Sequence, residues 1–310
     1  MKTSVTTYSF HQYINAGKMT QFDTIAKAKE IGFDGIEFTD LPGETLEERK
    51  ANAEKYRAEI ERVGIDAVSY TIGASLYKDT EEERAVEVER LKGQVEVAAI
   101  LGVKLMRHDV CYSLGKKWPA RSFDGMLPYI ADGARKVTEY AETFGIRTCT
   151  ENHGYIAQDS DRVERLFNAV HHDNYGLLCD IGNFICADED TSKAVSRVAP
   201  YAIHVHVKDF MIRSEPVGPC RNQTRGCNYF ACLLYTSRFQ RQLVGGQGYF
   251  RKDYPRRYAS GGCQRFLAFD LDGYDHGFAY RPDHLAEQLP RGKSPVPWQS
   301  DYRTLPAERQ

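Results

Sequence analysis

The sequence predicts an α/β chain folded as a (β/α)8 barrel, a TIM barrel whose C-terminal closure is irregular or incomplete. Three observations carry that prediction. Short apolar runs rich in β-branched residues alternate with amphipathic stretches through the first 210 residues, and such alternation implies a parallel sheet with crossover helices. Residues 30–38 (EIGFDGIEF), 62–70 (RVGIDAVSY), 100–108 (ILGVKLMRH) and 143–151 (TFGIRTCTE) repeat one pattern of helix end, glycine and strand. The seven units lack a Rossmann glycine fingerprint, which favours a barrel over an open sheet.

Strands are expected at 5–10, 33–39, 65–70, 103–107, 146–151, 175–180 and 202–207. Helices are expected between them. The stretch 19–31 carries Phe22, Ile25, Ala26 and Ala28 on one side, and 45–63 sets Tyr56, Ile60 and Val63 at helical spacing. The stretch 80–101 opens with Glu81-Glu82-Glu83, charges that suit the positive end of a helix dipole. The stretches 125–144, 160–170 and 190–198 complete the series. Gly32, Gly64, Gly102 and Gly145 each follow a helix as a left-handed C′ residue would.

The last third breaks the pattern. Residues 1–273 read as a single barrel domain, with 211–262 an irregular insertion and 266–273 (FLAFDLDG) the eighth strand. Prolines 282, 290, 295, 297 and 306 exclude a long closing helix, so the tail 274–310 is expected to be poorly ordered. Residues 232–237 (CLLYTS) are one reading frame of TGTCTCTTATACACATCT, a transposon end used in preparing sequencing libraries. They read as a scar after which the frame is shifted or foreign.

A net charge of −2 removes any global attraction to nucleic acid, and no apolar run is long enough to span a membrane. The N-terminus lacks a signal-peptide h-region, so a cytoplasmic protein is expected. Eight cysteines without a CxxC pair fit small buried residues better than a metal cluster.

The chemistry gathers where strands stop. Glu151 ends 146–151, Asp180 ends 175–180, and His204 and His206 sit in 202–207. The C-terminal strand ends of such a barrel form its active face. A Glu, an Asp and a His there suggest a divalent-metal site acting on a small polar substrate. His204 shares a strand face with His206 and is an alternative ligand. His108, His153, Asn183 and Glu37 are candidate substrate contacts, Glu37 being equally suited to a salt bridge inside the barrel. Arg213, Arg221 and Arg225 follow the seventh strand, where barrels often hold phosphate.

With its motifs GFDGIEF, MRHDV, ENHG, CDIGN, HVHVKD and TRGCNYF, the chain resembles the sugar phosphate isomerase/epimerase family over residues 4–231. These are xylose-isomerase-like barrels that include ketose 3-epimerases and inosose-processing enzymes. The resemblance implies a divalent cofactor (Mn, Mg, Co or Zn) held by Glu151, Asp180, His206 and a fourth carboxylate. AFDLDG is the nearest match to the family's last motif and assigns that place to Asp270. It further implies proton transfer between carbons by two carboxylates, Glu151 and Asp270, through a metal-stabilised enediolate. The substrate would be a small sugar or sugar phosphate, with no nucleic-acid or membrane partner and with room for a homo-oligomer. Alternatives are an inosose-type dehydratase, a lyase on the same barrel, or a catalytically defective carbohydrate-binding barrel. A zinc endonuclease related to endonuclease IV is disfavoured, since Asn183 stands where its metal cluster would want a histidine.

Overall fold

The structure, a computed structural model, describes residues 2–213, 222–224 and 227–237, with side chains for residues 2–208. Seven parallel strands run in sequence order: β1 (Thr3–Thr6), β2 (Gly35–Thr39), β3 (Asp66–Ile72), β4 (Leu105–His108), β5 (Arg147–Glu151), β6 (Tyr175–Asp180) and β7 (Ala202–Arg213). The helices between them are α1 (His11–Asn15), α2 (Thr24–Ile31), α3 (Leu46–Val63), α4 (Glu81–Leu101), α5 (Phe123–Glu142), α6 (Ser160–Val170) and α7 (Thr191–Val198). The sheet curls on itself as a (β/α)8 barrel whose closure is irregular. Two further strands, β8 (Asn222–Thr224) and β9 (Cys227–Ser237), pair with each other. β9 lies antiparallel against β7 and also reaches β1, with Ser237 opposite Thr3. The eighth position is thus filled by a strand of reversed direction, drawn from the stretch read as irregular and including residues 232–237. The expected eighth strand at 266–273, with Asp270, lies outside the described residues. So do the tail 274–310 and the side chains of Arg213, Arg221 and Arg225.

Element boundaries follow local chemistry. β1 stops at Thr6, earlier than expected, because the Thr6 hydroxyl accepts from the Tyr8 backbone N–H and starts a 3-10 turn over Thr7–Phe10. α2 starts at Thr24, later than expected, because the Thr20 N–H and hydroxyl both donate to the Asp23 carboxylate at 2.7 Å and hold a turn there. α3 and α4 each open with a capping box, Thr45 with Glu48 and Thr80 with Glu83. α4 ends at Gly102, whose φ of 88° is a left-handed conformation that a Cβ would resist.

Strand residues alternate between barrel interior and helix layer. Ile36, Phe38, Tyr70, Ile72, Met106, Tyr175 and Leu177 are buried in the main core with helix residues such as Val95, Ala134 and Leu166. Leu105, Cys149 and Leu178 form a smaller interior cluster, against which Ile203 packs. The four described cysteines are buried thiols. Between β6 and β7 the register shifts at Leu177/Leu178. This irregularity sets Asp180 opposite His206; at the earlier offset it would have faced Val205. Among the described residues, no helix is long and apolar enough to cross a membrane.

Replacing Thr80 with Ala removes the hydroxyl that satisfies the Glu83 N–H. It is expected to lower unfolding stability by about 1 kcal/mol in a urea titration, without changing the far-UV circular dichroism of the folded state.

Candidate metal centre

The interior face of β7 presents His204, His206 and Lys208 in one column, two residues apart. Around its upper end stand Glu37 from β2, Arg107 from β4, Glu151 from β5 and Asp180 from β6. Glu37, Glu151, Asp180, His204 and His206 are all buried, no residue among them more than 6% exposed.

Glu151 is held at both oxygens. Oε2 meets the Arg107 guanidinium at 2.9 Å, and Oε1 accepts from Asn183 Nδ2 at 2.9 Å. His206 Nδ1 lies 3.7 Å from the same Oε1. Burial by itself would raise the Glu151 carboxyl, but the Arg107 charge and the neighbouring His206 hold it well below the usual carboxylate range. Arg107 also grips Asp109 at 2.7 Å. The other Asp109 partners are the Tyr112 hydroxyl at 2.9 Å and His153 Nδ1 at 3.3 Å.

Asp180 is fixed mainly by backbone. Oδ1 accepts from the N–H groups of Gly182 and Asn183 at 2.9 and 3.1 Å, and Lys208 Nζ stands 3.1 Å from Oδ2. Lys208 also donates to the Asn183 side-chain oxygen. Burial raises the Asp180 carboxyl, and Lys208 offsets this only in part. The Asn152 amide clamps the strand end: Nδ2 donates to the Asp180 carbonyl at 2.9 Å, while Oδ1 accepts its N–H at 2.8 Å.

Glu37 collects three donors. The Ser69 hydroxyl and His204 Nε2, the latter at 3.1 Å, reach Oε2, and His206 Nε2 reaches Oε1 at 3.1 Å. Burial would raise this carboxyl, but the His206 charge and the two imidazole hydrogen bonds drive it far down. Burial would likewise lower His206, yet the Glu37 charge and the contacts with Glu151 raise it to about 10. His204, by contrast, is lowered by burial.

Two groups of three side chains bring ligand atoms within 4.8 Å of one another: Glu151, Asp180 and His206, and Glu37, His204 and His206. The first suits a divalent ion better. His206 Nδ1 is buried without a hydrogen-bond partner, and buried polar atoms ordinarily have one; Asp180 Oδ2 is met by the Lys208 ammonium at 3.1 Å. One imidazole and two carboxylates form a donor set for Mn²⁺, Mg²⁺, Co²⁺ or Zn²⁺. In the second group, the donors already on Glu37 satisfy it.

The structure therefore brings Glu151, Asp180, His206, Asn183 and Glu37 together. His153 sits at the edge of the group, with its side chain 45% exposed. His108 is not brought to it. Alternation turns it to the helix layer, where its ring lies beside Tyr175 and Nδ1–H donates to the Asp109 carbonyl. Sequence reasoning did not single out Asp109, Ser69 or Asn152. Arg107 and Asp109 are two apart at the end of β4, the one local sign that they act together.

Arg107→Met would leave Asp109 and Glu151 buried without their cation. It is expected to destabilise the protein by roughly 3–5 kcal/mol in urea unfolding, far more than an exposed pair such as Lys27–Glu30.

The family described as xylose isomerase-like TIM barrel matches residues 25–234. No curated protein matches the chain in sequence. Among solved structures, a D-psicose 3-epimerase in the presence of D-fructose is similar at a TM-score of 0.55 and 16% identity, covering 71% of this chain and 78% of that one. The probable 3-DHS dehydratase AsbF of Bacillus anthracis gives 0.54 and 18%, covering 68% and 74%. An L-ribulose 3-epimerase gives 0.54 and 17%, covering 66% and 69%.

Proposed function

The chain belongs to the xylose isomerase-like TIM barrel family, and from that premise we propose that it is a divalent-metal-dependent isomerase or epimerase of a small sugar or sugar phosphate. The observation that carries the proposal is the convergence of Glu151, Asp180 and His206 from three neighbouring strands at the active face of the barrel. The keto-sugar substrates named for two structures of the same fold support the substrate class.

Glu151, Asp180 and His206 would hold the ion, with Asp270 the fourth ligand on the strength of its motif. When bound, a divalent ion supplies Lewis-acid polarisation of a substrate oxygen. Glu151 is the proton acceptor in this reading. Held low by Arg107, it is ionised and available as a ligand but a weak base, so taking a proton requires Asn183 or Arg107 to release one oxygen. Asp270, assigned by its motif alone, would be the second carboxylate, the one that returns the proton. Asn183, between Glu151 and Lys208, and the half-exposed His153 offer donors to substrate hydroxyls. The reaction takes place in the cytoplasm on a free small molecule, and leaves room for a homo-oligomer.

The test is hydrogen exchange. The full-length chain with Mn²⁺ is incubated with ketoses and ketose phosphates in D₂O and followed by NMR. Deuterium should enter the carbon beside the carbonyl as the epimer or isomer appears, and Glu151→Gln should slow this by at least ~10²-fold. Metal-loaded protein that exchanges no ketose would overturn the proposal. Loss of water to an unsaturated ketone would point to a dehydratase instead.

A further inference from the structure

The nitrogen that His206 turns toward Glu151 and Asp180 depends on what holds its other nitrogen. Nε2 lies 3.1 and 3.3 Å from the two oxygens of Glu37, whereas Nδ1 is buried without a hydrogen bond, 3.7 Å from Glu151 Oε1. The ring thus bridges two carboxylates on opposite sides of the barrel interior. We infer that Glu37 is a positioning residue, whose carboxylate takes the His206 Nε2–H and so commits Nδ1 as the ligand atom of the metal centre. The inference rests on the reading of Glu151, Asp180 and His206 as that centre.

Glu37 is built for this task. It lies on β2, 169 residues before His206, and is 1% exposed. Its register partner on β3 is Ser69, whose hydroxyl donates to Oε2. His204, two residues before His206 on the same face, donates Nε2–H to that oxygen as well. Ser69 and His204 therefore pin one oxygen and leave Oε1 to His206. A carboxylate on the far nitrogen of a metal-binding imidazole fixes the ring and its tautomer and makes it a stronger donor. Without it, nothing on that side would hold the ring against a half-turn about Cβ–Cγ, which would put carbon atoms where the two nitrogens now stand.

The same residues could instead bind an ion of their own, because Glu37, His204 and His206 also lie within ligand distance of one another. The hydrogen bonds argue against that. Two imidazole N–H groups and a hydroxyl already converge on Glu37, and an ion there would have to displace all three. It would also take Nε2 of His206 and leave Nδ1 without a hydrogen bond as before.

Calorimetric titration of Mn²⁺ into the metal-free full chain separates these cases. Wild type is expected to bind one ion, and Glu37→Gln one ion about 10–100-fold more weakly. Equal affinity in the two would overturn the role of Glu37 and leave the centre intact. Two ions in wild type and one in the variant would make Glu37 a ligand. A wild type that binds none would remove the centre, and this assignment with it. Should Glu37→Gln fail to fold, ¹⁵N-histidine NMR of the wild type with Zn²⁺ decides directly, by a readout that a merely structural Glu37 would not move. Metal on Nδ1 with the proton retained on Nε2 is expected; metal on Nε2 would sink the inference.

Discussion

The constraint on which the rest depends is charge neutrality inside a volume that excludes water. Glu37, Asp109, Glu151 and Asp180 are buried at one end of the barrel, against the permanent cations Arg107 and Lys208. A buried charge without a partner is too costly to keep. Four carboxylates facing two such cations leave a deficit equal to the charge of a divalent ion. In the arrangement seen here the His206 proton meets part of it, held between Glu37 and Glu151. The donor set and the charge balance thus point to the same occupant by separate arguments.

The barrel meets that constraint with strand geometry. A period of two stacks His204, His206 and Lys208 in one interior column. The irregularity between β6 and β7 then slides the column by one residue, so that His206, and not a helix-facing valine, stands beside Asp180. Without it, two of the three donors would point to opposite faces of the sheet.

Much of this is legible in the chain. The glycines at 32, 64, 102 and 145 and the carboxylates that end β5 and β6 are local signals, and β6 and α6 begin and end where their patterns do. The resemblance to sugar phosphate isomerases and epimerases agrees with the family to which the chain belongs. What is not legible depends on distant neighbours. His153 is joined to Asp109 across 44 residues, and Glu37 to His206 across 169. Nothing near Glu37 in sequence tells a substrate contact from a support for histidine. His108 misled because a strand end has two faces and only one looks inward. The reversed direction of β9 has no local signal either, since a β-rich run pairs either way.

The Asn152 clamp has a consequence for how such a chain can change. Its amide holds the N–H and C=O of Asp180 as a neighbouring strand would, so β5 and β6 are locked beyond their last ladder pair. The spacing of Glu151 and Asp180 is therefore set beneath the loops that follow them. Those loops can lengthen, shorten or alter their side chains without moving the two carboxylates. A new loop lining can then evolve over an unchanged pair of carboxylates, one loop at a time.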